Sequence, residues 1–123
     1  MTNDSNANGK KYDLEERTAK FGEETVRFCG DMPKNDIIRP LINQFVKCGT
    51  AVGVNYCEAD DAESKADFKH KIGICKKESR ECKHFLRMII IAVPEMKDRA
   101  EKLWQEAKEL NLIFNAINNK LKN

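Results

Sequence analysis

Apolar residues recur at helical spacing through most of this chain. The clearest case is near the C-terminus, where Met96, Ala100, Leu103, Ala107, Leu110, Phe114, Ile117 and Leu121 follow one another by steps of 4, 3, 4, 3, 4, 3 and 4 residues. That is a sustained heptad seam, the pattern of antiparallel bundles and coiled coils. Trp104 and Ile113 lie beside the seam and widen it. Earlier, Ile37, Leu41, Phe45, Cys48, Val52 and Ala59 form a second stripe, and Leu14, Phe21, Val26 and Phe28 a shorter one. Phe68, Ile72, Cys75, Cys82, Leu86 and Ile89 supply the remaining face.

Capping residues set the limits of these elements. Asp13, with Glu16 three residues on, starts a helix that Gly30 stops. A second helix is expected over residues 36–61, with Pro40 in or near its first turn. Ser64 and Asp67 make a second capping box, opening a helix that runs to about Ile91. Pro94 then sits where a fourth helix begins. Gly49 and Gly53, one turn apart, suit a close helix approach. Four helices with short links predict an all-α, up-and-down antiparallel four-helix bundle over residues 11–123, after a polar tail at residues 1–10 expected to be disordered. Ile38, Phe85 and Met88 are left over, an apolar surplus pointing to self-association.

A chain of 123 residues suits one domain rather than two. Six Gly, three Pro and nine aromatics argue against collagen-like, disordered or β-rich classes. The longest apolar run, Met88 to Val93, is far too short to span a membrane, and residues 1–10 lack the apolar core of a signal peptide. Five cysteines without a CxxC pair fit free thiols in a reducing cytoplasm.

Net charge is only +2, so any electrostatic function depends on segregation. Residues 65–87 hold eight Lys or Arg against three acids, a net +5 that leaves the remainder acidic. On a wheel of ~100° per residue, Lys65, Lys69, Lys76, Arg80, Lys83 and Arg87 share an arc of about 60°. Over 22 residues they form a stripe of charge roughly 33 Å long, able to follow the phosphates of RNA or DNA. His70 and His84 flank it. The competing reading is a solvated or subunit-facing stripe paired with acids, such as the six on helix one between Tyr12 and Asp31.

Other chemistry is poorly served. Glu81 with His84, and Asp67 with His70, echo the Glu-x-x-His pairs of di-iron bundles, yet both lie on one helix about 21 Å apart, so no metal or other cofactor is expected. There is no phosphate loop and no base beside an inward-facing cysteine, so no catalytic residue is assigned and the chain is not read as an enzyme. Arg17, Asn55, Glu58, Lys71 and Glu78 fall on or beside apolar faces and are expected to pair between helices, because a buried polar group is costly unpaired. Loss of Glu58 should then lower the melting temperature.

The segments Tyr12-Asp-Leu-Glu-Glu-Arg-Thr-Ala-Lys-Phe21, Arg39-Pro-Leu-Ile-Asn-Gln44, Val52-Gly-Val-Asn-Tyr56 with Glu58-Ala59, and Ser64-Lys-Ala-Asp-Phe-Lys-His-Lys-Ile72 with Lys77-Glu78 and Glu81 resemble the 23S ribosomal RNA intervening-sequence proteins. The resemblance spans roughly residues 11–121, and the motif positions it matches are Arg17, Asn55, Glu58, Lys71 and Glu78. It implies a bacterial, cytoplasmic, left-handed four-helix bundle that assembles as a homopentamer. A related branch, the accessory variability proteins of diversity-generating retroelements, forms similar pentamers that bind nucleic acid and a reverse transcriptase. Cys57, Cys82 and Phe85 depart from the pattern expected of relatives. The functional expectation is a non-catalytic, oligomeric nucleic-acid-binding bundle; the alternative is a homo-oligomeric scaffold for a protein partner.

Overall fold

The computed structural model describes residues 13–122; the expected tail at residues 1–10 lies outside them. Four helices follow in order, α1 (Leu14–Gly30), α2 (Ile38–Asp60), α3 (Lys65–Ala92) and α4 (Lys97–Lys120), with a 3₁₀ turn at Pro94–Met96 leading into α4. Each packs on its chain neighbour, α1 also meets α4, and α1 and α3 stand diagonally apart. Contacts run in opposite senses along successive helices, Thr18 with Gly53 and Thr25 with Gly49, Cys48 with Cys82 and Glu58 with Lys71, Lys76 with Asn111 and Lys83 with Trp104, so the successive helices are antiparallel. The fold is therefore an up-and-down four-helix bundle, and no strand occurs among the described residues.

Local chemistry explains the boundaries. The Asp13 carboxylate accepts from the Glu16 N–H at 3.1 Å, and the Ser64 hydroxyl accepts from the Asp67 N–H at 3.0 Å. Each cap satisfies a donor the first turn leaves unpaired. Helix α2 starts at Ile38, two residues later than expected, because Asn35 Oδ1 accepts from the N–H groups of both Ile37 and Ile38 and shapes a turn there. That shift reverses two expectations. Ile37 projects into solvent, whereas Ile38, counted as surplus, is buried in the core. Of the other surplus residues, Phe85 is half-buried against the core, and Met88 is half-buried too.

On α1 the inward stripe is Leu14, Thr18, Phe21, Thr25 and Phe28, and Val26 lies outside it, exposed. The two threonines enter an apolar core because their hydroxyls donate back to Leu14 and Phe21 carbonyls at 2.7 and 2.8 Å, leaving only methyl groups outward. Phe28 and Phe45 meet edge to face with centroids 6.0 Å apart. The α4 seam is buried from Ala100 to Phe114, while Met96 and Ile117 lie at its margins.

The glycine pair sets how closely α1 and α2 approach. A Cβ at Gly49 would lie 2.6 Å from Thr25 Cγ2, and one at Gly53 3.3 Å from the Thr18 carbonyl oxygen. The opposite seam is looser. Between α1 and α4 runs a cleft of about 480 Å³ over Phe21, Phe28 and Leu103. Ion pairs across the seam bound it, Arg17 with Glu106 and Arg99 with Asp31.

Candidate nucleic-acid interface

All six cations of the expected stripe lie on α3. Lys65, Lys69, Arg80 and Arg87 are exposed, while Lys76 and Lys83 are half-buried where α3 meets α4. None of the six joins an ion pair among the described residues. Within one chain the stripe does not pair with the acids of α1: α1 is the diagonal helix, and Glu24 and Asp31 pair with Arg27 and Arg99. The backbone under the stripe is hydrogen-bonded to α4. Asn111 Nδ2 donates to the Lys76 carbonyl at 2.8 Å and to Ser79 Oγ at 3.2 Å, tying α4 to the middle of α3. Ser79 is fully buried, and its hydroxyl donates to the Lys76 carbonyl.

Helix α4 adds groups that the sequence did not place at this interface. The Lys83 ammonium sits 5.7 Å from the centre of the Trp104 ring, and Lys108 lies 5.6 Å from the same ring. These are cation–π distances. The signal available in sequence was the one-turn spacing of Trp104 and Lys108. The approach of Lys83 depends on the packing of α3 on α4, which periodicity does not encode.

The five polar residues on apolar faces diverge. Arg17 donates from Nε to Glu106 at 2.7 Å and from Nη2 to Glu106 and Glu109, both at 2.8 Å, joining α1 to α4. The hydrogen bond to Glu106 holds the guanidinium firmly charged. Gln105 first, then Arg17, keep the Glu109 carboxyl below its ordinary range. Lys71 donates to Glu58 at 2.6 Å, linking α3 to α2, and that bond raises its own ammonium pKa. Asn55 instead donates within its own helix, to the Ala51 carbonyl at 2.8 Å, rather than between helices. Glu78 makes no hydrogen bond or ion pair among the described residues; burial, then repulsion from Glu81, raises its carboxyl.

Four of the five thiols are buried. Burial pushes Cys29 up to about 11 and Cys75 up to about 12. The bond to Cys48, 3.4 Å away, raises Cys82 strongly. At neutral pH such groups are packing thiols rather than nucleophiles. Among the described residues, no three His, Cys, Asp or Glu side chains are arranged to hold a metal ion, and no helix is long and apolar enough to cross a membrane.

Residues 10–116 match the family described as 23S rRNA-intervening sequence protein, and the chain belongs to that family. Among solved structures it is similar to a Bacteroides thetaiotaomicron protein with unknown function from the S23 ribosomal protein family. The two are 25% identical, with a TM-score of 0.75 over 85% of this chain and 97% of that one. No curated protein matches.

Proposed function

We propose that this member of the 23S rRNA-intervening sequence protein family is a non-catalytic, cytoplasmic homo-oligomer that binds the phosphate backbone of RNA or DNA along α3, through Lys65, Lys69, Lys76, Arg80, Lys83 and Arg87. The observation that carries the reading is a row of six cations on one face of one helix, none neutralised by an ion pair among the described residues. A solvated face in a protein of mixed charge ordinarily intersperses both signs. Such a row releases counterions when phosphates replace them. Its repetition around an oligomer, a pentamer by the resemblance, multiplies the field and adds avidity.

A second reading, a homo-oligomeric scaffold for a protein partner, is favoured by exposed apolar residues, among them Ile91 on α3 itself at 79% exposure. The triple variant Lys76→Glu, Arg80→Glu, Lys83→Glu separates the two. Under the proposal it keeps its oligomeric mass by light scattering and loses RNA and DNA binding. A smaller species points to the scaffold reading, and full retention of binding removes α3 as the contact surface.

A further inference from the structure

We infer that Trp104 is a stacking platform for one unpaired base, so that the α3 face takes single-stranded or bulged nucleic acid in preference to a continuous duplex. The inference rests on the phosphate-contact reading above and narrows its substrate class.

Trp104 is the chain's only tryptophan, and it stands half-buried on α4 where that helix flanks the stripe. Part of it packs against the core, and two lysines approach its ring at 5.7 and 5.6 Å. Both are long, flexible stems ending in an ammonium group. Neither ammonium has a carboxylate partner among the described residues, and a phosphate is a stronger partner for it than an aromatic ring. A nucleic-acid strand laid along α3 therefore draws Lys83 and Lys108 outward onto its phosphates and uncovers the indole. Arg80 and Arg87 stand one turn to either side of Lys83, positioned to hold the flanking phosphates. On α4, Glu101 pairs with Lys97 and Glu109 with Arg17.

An indole offers a π-face to any base but cannot read a base already stacked in a helix. Unstacking that base from a duplex carries its own cost. A single strand or a bulge supplies the base free. Cations that follow phosphates beside an aromatic that takes a base are the general recipe for single-strand binding.

The test uses the whole chain, with a uridylate oligomer of about twelve nucleotides and an RNA duplex of the same length, within the usual range of site sizes. Unlabelled probes report through Trp104 emission, and labelled ones through anisotropy. The inference expects the single strand to quench the emission over the concentration range in which anisotropy rises, and the duplex to leave it near its starting value. Trp104→Leu weakens single-strand binding at least about fivefold and duplex binding less than about twofold, and Trp104→Phe retains most of the affinity. Circular dichroism checks that the variants keep their helices, and the wild-type quench needs no variant. Binding of the single strand with unchanged emission overturns the stacking inference and leaves the phosphate contact standing. Absence of binding by either probe at low salt overturns both.

Discussion

Replacing Gly49 with alanine probes the contact that holds α1 against α2. The new methyl group would lie 2.6 Å from Thr25 Cγ2, 2.7 Å from its Oγ1 and 3.0 Å from its Cβ. Thr25 is fully buried and its hydroxyl is bonded to the Phe21 carbonyl. Both branches of its Cβ crowd the site, so rotating the side chain exchanges one clash for another, and the helices must separate instead. Helix propensity favours alanine by about 1 kcal/mol. Overpacking costs about 1–3 kcal/mol, and contacts this short belong in the upper half of that range. The net expectation is a loss of about 1–2 kcal/mol, read by urea denaturation at fixed protein concentration with an unchanged slope. At Gly53 the nearest atom is 3.3 Å away, so Gly53→Ala should be close to neutral. In a Thr25→Ala background the Gly49 substitution should lose most of its penalty, a coupling of at least about 1 kcal/mol. A Gly49→Ala protein as stable as the wild type would refute the claim that this approach is limited by the Cβ position.

Arg17→Ala removes a fork that joins α1 to two carboxylates of α4 across the looser seam, and should cost about 1 kcal/mol in thermal or urea unfolding. Glu58→Ala breaks only the link to Lys71 and should lower the melting temperature by less than Arg17→Ala does. Glu78 behaves in the opposite sense. Its carboxyl holds a proton more tightly folded than unfolded, so the fold is favoured below the ordinary value of 4.5 and loses that contribution as pH rises through the raised folded value. Glu78→Gln should therefore raise the melting temperature at pH 7, by less than about 1 kcal/mol in stability, with the gain disappearing below pH 4.5 in a pH series of melts.

Much of this arrangement can be read along the chain because local signals agree with the tertiary fold. The heptad seam of α4 is buried from Ala100 to Phe114, and Asp13 and Ser64 cap their helices. Position-by-position assignment fails where burial depends on a neighbour. Thr18 and Thr25 look polar yet enter the core, because each satisfies its hydroxyl one turn back on its own helix. Val26 and Ile37 look apolar yet face solvent, the latter because the turn held by Asn35 delays the start of α2 to Ile38. At the candidate interface the α3 stripe follows from spacing on a single helix. The place of Trp104 between Lys83 and Lys108 does not, since it requires the relative rotation of α3 and α4.

The most direct measurement is the salt dependence of RNA binding for the wild type and for single neutralisations along α3. Six phosphate contacts give a log–log slope of about −4 to −5, and each of Lys69→Ala, Arg80→Ala and Arg87→Ala reduces its magnitude by about 0.7–0.9. Binding with a slope near zero, or a steep slope that none of these substitutions changes, would contradict the assignment of α3 as the phosphate-binding face.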